Sequence, residues 1–159
     1  MSNGQAWGNA SRIIGHTIRT TLRGVEREVS ARTYRASNEL RTASLHVLRG
    51  QRSGRQYRIP HTRRTYTASA PGEPPAVRTG IFRLSWGTHT RIEKRGGNNY
   101  HAIAAIESNV KAGGHLLGDI LEHGANSGRR RMAARPYKQA VCDRAMPRIR
   151  EIYNRPYKV

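Results

Sequence analysis

Between residues 12 and 49, apolar or small side chains return every three or four positions: Ile18, Leu22, Val25, Val29, Thr33, Ala36, Leu40, Ala43 and Val47. That period puts them on one face of a continuous α-helix. No proline interrupts the run, and Gly50 stands where a C-cap belongs. At about 1.5 Å per residue such a helix is roughly 55 Å long. A compact domain of this size needs less, so the spacing predicts packing on a neighbouring subunit as well as on the chain's own core. Arg32 falls at the edge of the stripe and is expected to snorkel. Ahead of the helix, residues 1–11 are rich in Gly, Asn and Ser and read as a loose leader.

After Gly50 the period changes to two. "RQYRI" (55–59) and "RTYTASA" (64–70) alternate as strands do, on either side of Pro60. A proline-rich stretch follows, then "GIFRLSW" (80–86), which predicts a short helix capped by Thr79. "THTRIEK" (88–94) and "YHAIAAIES" (100–108) read as a hairpin around the turn "RGGNN" (95–99). "GHLLGDILEHG" (114–124) predicts a short amphipathic helix ended by Gly124, and "ANSGRRRM" (125–132) a basic loop. Residues 134–153 read as a last helix, with Pro136 near its first turn and Pro147 expected to kink it. The order predicts an α+β fold: a long N-terminal helix, a small mainly antiparallel sheet with an extended proline-rich loop, and a C-terminal helix.

With 159 residues, 36% of them hydrophobic, the chain suits one domain with a modest core, over residues 12–153, and a C-terminal tail at 154–159. Charge changes the picture more. Lys and Arg number 29 against 10 Asp and Glu, a formal net of +19, and 25 of the 29 are arginine. The planar arginine fork suits phosphate and carboxylate alike, so the balance points to nucleic acid or to an acidic protein surface. At 100° per residue, Arg12, Arg19, Arg23 and Arg41 share one flank of the long helix, with Arg27 close by. Arg129, Arg130 and Arg131 charge the loop near its end. These are the candidate contacts for a partner or for DNA backbone. The ordinary alternative for each is a solvated surface arginine.

Catalytic patterns are missing from the sequence. Cys142 is the lone cysteine, and no two of the seven histidines stand at metal-binding spacing on a predicted helix. Phosphate-binding loops, dinucleotide fingerprints, nucleophile elbows and paired carboxylates are likewise missing from the pattern. The reading is a non-enzyme without cofactor or metal. The start has no apolar signal segment and no run reaches membrane-spanning length, so a cytoplasmic product is expected.

The stretch "ASAPGEPPAVRTG" (68–80) holds Pro71, Pro74 and Pro75 within a few residues. Proline fixes its own φ and biases the residue before it towards extended backbone, so the stretch reads as a stiff arm. Within it, "SAPGEPPAVRTGIFRLS" (69–85) resembles the signature of a family of tailed-bacteriophage head–tail joining (neck or tail-completion) proteins. The pattern is the run Pro71, Gly72, Glu73, Pro74 and Pro75, then Thr79 and Gly80, then Phe82 and Ser85. "ILEHG" (120–124), with Glu122 and Gly124, and "ARPYKQAV" (134–141), with Arg135, Pro136 and Tyr137, resemble a second family segment. His123 departs from it, standing where an aromatic residue is usual. The likeness covers about residues 12 to 153.

The resemblance implies a structural virion protein that forms a ring, with six copies expected, between the DNA-filled head and the tail. It is made in the host cytoplasm and ends in the virion neck. Neighbouring copies, head-closure or tail-tube proteins, and DNA backbone in the channel are the implied partners. The arm, from Pro71 to Pro75 with Thr79 and Gly80, is the implied inter-subunit contact. The alternative is a cellular protein that binds nucleic acid without reading sequence.

Overall fold

The computed structural model describes residues 3–96, 99–127 and 130–157. Helix α1, Asn3–Arg49, runs through 47 residues. It takes in residues 3–11, so the expected loose leader is helical over those positions. No proline or β-branched run opposes the helix there. Beyond α1 come β1 (Gln56–Arg58), β2 (Thr65–Thr67), α2 (Ile81–Leu84), β3 (Gly87–Lys94), β4 (Tyr100–Glu107), β5 (Lys111–Ala112), β6 (His115–Leu116), α3 (Leu117–His123), β7 (Ala125–Ser127), β8 (Arg130–Met132) and α4 (Lys138–Asn154).

The fold is α+β, as the patterning predicts, but among the described residues its strands form four separate antiparallel pairs. The longest, β3–β4, pairs Gly87 with Glu107 through Lys94 with Tyr100. Two ribbons depart from expectation. Residues 111–116 form a two-residue-strand hairpin whose turn residues, Gly113 and Gly114, have φ of 58° and 85°. Such a turn needs left-handed backbone at both positions, which glycine takes without steric cost. Within the segment read as a basic loop, residues 125–127 and 130–132 pair as the antiparallel strands β7 and β8, with Ala125 opposite Met132.

The core lies where the C-terminal half of α1 meets α4 and the β3–β4 hairpin. Ala43 and Leu48 of α1, Val141 and Ala145 of α4, Trp86 and Tyr137 are buried, with Leu40, Val47, Phe82, Ile106, Leu121 and Ile149 packed around them. Small side chains on α1 (Thr33, Ala36, Ser37, Ala43 and Ser44) are all buried and let helices approach closely. Their hydroxyls stay paired within the helix: Thr33 to Val29 O, Ser37 to Tyr34 O and Ser44 to Arg41 O. Phe82, Trp86 and Tyr137 meet edge to face, with centroids 5.4 to 5.8 Å apart, a favoured arrangement for aromatic rings.

Arg32 corrects the expected snorkelling. Its side chain is 1% exposed and pairs with Glu28 at 3.0 Å. It donates to the carbonyls of Tyr153, Arg155 and Pro156 and lies 4.0 Å from the Tyr157 ring centre. The end of α4 leaves carbonyls without helical donors, and the guanidinium serves them from inside the protein. Residues 155–157 of the expected tail are thereby tied to α1. Pro147 sits inside α4, where it removes one backbone donor.

Candidate functional site

The proline stretch is held by its own chain. Glu73 N donates to Ala70 O at 3.1 Å, and Gly72 has φ of 82°. Pro71 then occupies the second turn position and Gly72 the third, the pattern of a type II turn. The pre-extended arm is therefore bent at Pro71-Gly72, because Gly72 supplies the left-handed backbone that a turn requires. The Glu73 carboxylate accepts from Ala70 N, Ser53 N and Ser53 Oγ at 2.6 to 3.1 Å. Those bonds hold it below the usual carboxylate range. Arg52 donates to Pro75 O from Nε and Nη2, and Ser69 Oγ donates to Pro74 O. Burial lowers the Arg52 pKa, partly offset by Glu73. Pro75 is buried, while Pro71, Gly72, Val77, Arg78 and Thr79 face outward.

Gly80, with φ of 82°, is the N-cap of α2 in place of the expected Thr79, which stands one position ahead of it. Thr79 Oγ1 reaches Ile81 N only at 3.5 Å, the outer limit of a hydrogen bond.

The second family segment converges on the start of α4. Glu122 Oε2 accepts from Tyr137 N at 3.0 Å and Lys138 N at 3.2 Å. These are donors that the first turn leaves open, so a carboxylate from α3 caps α4. Arg135 N donates to Leu121 O at 2.7 Å. A Cβ at Gly124 would come within 2.6 Å of Met132 O, and Gly124 has φ of 78°, so glycine is needed on both counts. Tyr137 is 2% exposed. Burial, with Glu122 and Asp119 nearby, pushes its hydroxyl up to about 12. Pro136 is exposed.

Between the proline loop, β1–β2, α2 and α3 lies a half-open groove of about 830 Å³, within the usual range of about 300–1,000 Å³ for ligand clefts. Leu48, Val77, Ile81, Leu117, Leu121 and Met132 give it an aliphatic floor and lip. Arg83, which the sequence reading did not single out, and Arg135 both line it, and each has a buried Nε without a hydrogen-bond partner.

The arginine flank of α1 is divided. Arg41 Nε donates to Trp86 O at 2.8 Å and so serves the chain's own fold. Arg12 bonds Asn9 and Gly8 O within its own helix. Arg19, Arg23 and Arg27 are exposed. Arg131 is exposed on β8, Arg130 belongs to the same strand, and Arg129 lies outside the described residues.

On α1 the face that carries Ala36 and Ala43 in the core continues outward through Ile18, Ile14 and Trp7. Those three are 52%, 59% and 75% exposed. Among the described residues, no three His, Cys, Asp or Glu side chains are placed to hold a metal ion, and no helix is long and apolar enough to cross a membrane. Comparison with protein-family models, curated proteins and solved structures found no match.

Proposed function

We propose that this chain is a structural virion protein that forms a ring in the neck of a tailed bacteriophage, joining head to tail as a tail-completion protein, terminator or separate neck ring. One observation carries the assembly part of this reading. The apolar face of α1 leaves the core and continues into solvent through Ile18, Ile14 and Trp7. At about 1.5 Å per residue, α1 is roughly 70 Å long. A row of large apolar side chains on a projecting helix is what a docked neighbour covers. The place of assembly rests on the resemblance of residues 69–85 and 120–141 to the head–tail joining family. The two segments share a neighbourhood: Gly72 N donates to Ala134 O at 3.3 Å.

Native mass spectrometry of the full chain, alone and with candidate neck proteins from the same genome, tests the reading. A cyclic oligomer is expected. Ile14→Asp with Ile18→Asp should abolish it while the melting of the core stays within about 0.5 kcal/mol, because both positions are surface sites away from the core. A strictly monomeric protein under all these conditions, or a double variant that assembles normally, would reject the ring. Duplex DNA binding by the isolated monomer, without assembly, would favour the cellular nucleic-acid reading.

A further inference from the structure

The groove beneath the proline loop has a lopsided chemistry. Among the described residues four arginines line it, Arg55, Arg78, Arg83 and Arg135, and no Asp, Glu, Lys or His does. None of the four forms an ion pair among the described residues. The buried Nε atoms of Arg83 and Arg135 have no acceptor among the described residues. An arginine nitrogen withdrawn from water without an acceptor is a cost in the free protein, and a carboxylate removes that cost. Between the arginines the surface is aliphatic and proline-rich.

We infer that this groove binds an acidic, aliphatic peptide segment of a partner protein, its aliphatic side chains on the floor and its carboxylates on Arg83 and Arg135. A carboxylate in the groove meets the guanidinium groups of Arg83 and Arg135, which line it, and pairing with their buried Nε atoms requires these side chains to move. Single-stranded nucleic acid fits less well, because it needs open aromatic faces on which bases stack. Among the described residues that line the groove, Tyr57 alone is an exposed aromatic side chain, too few for a run of stacked bases. Tyr57 stacks on Tyr66 at 5.9 Å, and Phe82 is packed against Trp86 and Tyr137. The inference does not depend on the ring reading, since one copy of the chain holds the whole groove.

Fluorescence anisotropy of the full chain tests it with three labelled probes: a short peptide alternating leucine and glutamate, its glutamine counterpart, and oligothymidylate. The glutamate peptide should bind about ten-fold or more tighter than the glutamine one, as expected for charge-assisted hydrogen bonds. Arg83→Gln with Arg135→Gln should remove that preference. Arg19→Gln with Arg23→Gln lowers the net charge equally and should leave most of it. Val77 is exposed on the lip, so Val77→Asp keeps the fold and should block binding even if the double arginine variant does not fold. Equal affinity for both peptides, equal loss in the two charge-matched variants, or no effect of Val77→Asp would overturn the inference. So would oligothymidylate binding that is tighter than the peptide's and lost with Arg83 and Arg135.

Discussion

Arg32 sits 121 residues ahead of the first carbonyl it serves, Tyr153 O. Helical spacing put it at the margin of an apolar stripe, and a long charged side chain at a margin reaches for water by default. The default fails because the end of α4 brings a cluster of unpaired carbonyls to that spot, which no local pattern on α1 announces. Glu122 is the opposite case. Its place in "ILEHG" (120–124) is visible in the sequence, and its task of capping α4 depends on α3 and α4 meeting. Replacing Arg32 with Met keeps the apolar stem and deletes the guanidinium. Three carbonyls and the Tyr157 ring then lose their cation. A loss of about 3 kcal/mol is expected, since a buried charged donor is removed from several acceptors. Arg32→Lys should recover only part of it, because a single ammonium cannot span the fork. Denaturant melts measure the loss, and amide exchange should locate it at residues 153–157. A wild-type melt for the Met variant would show that the clamp is not stabilising.

Elements with long, regular periods were legible: α1, the β3–β4 hairpin and α4. Each repeats its pattern over eight or more residues. Of the strands of two or three residues, β1 and β2 were legible from the alternation on either side of Pro60, whereas β5 to β8 were not, because so short a run has no clear period. β5–β6 is set by Gly113-Gly114, and β7–β8 by pairing that a basic composition hides. The proline stretch was read as straight because prolines favour extended backbone, but the glycine after Pro71 allows the turn and Glu73 fastens it. On α1, Gly8 and Gly15 fall in the projecting half. A Cβ at Gly8 meets nothing within 4 Å, and at Gly15 it meets only the flexible Arg19 guanidinium, at 3.5 Å or more. Glycine costs roughly 0.5–1 kcal/mol against alanine in a helix interior. Gly8→Ala with Gly15→Ala should therefore raise helicity by circular dichroism and slow amide exchange over residues 7–22. Unchanged exchange would mean that this half of α1 is limited by something other than its glycines.

At the scale of the whole molecule, the proposed ring has to accommodate a net charge of +19 on each copy. Basic copies brought together in a ring repel one another, and that repulsion is relieved by acidic neighbours or by DNA phosphate. The structure narrows which arginines remain for this work. Arg41 is engaged with Trp86 O, whereas Arg19, Arg23 and Arg27 are exposed and form no ion pair among the described residues. DNA must also move through a neck, and a channel lined densely with free arginines would hold it. The exposed set on α1 is therefore expected to meet acidic protein surface or phosphate without reading bases, since phosphate contacts position a protein and base edges specify it. Arg19→Glu with Arg23→Glu should weaken assembly with the neighbouring neck protein, or retention of duplex DNA. In wild-type protein the same binding should fall steeply as salt rises, and the variant should show a shallower slope by about one unit per lost phosphate contact if DNA is the partner. Titrations at several salt concentrations, on duplexes of unrelated sequence, provide the measurement. Strong preference for one sequence, or a salt slope identical in the variant and the wild type, would remove these arginines from the contact.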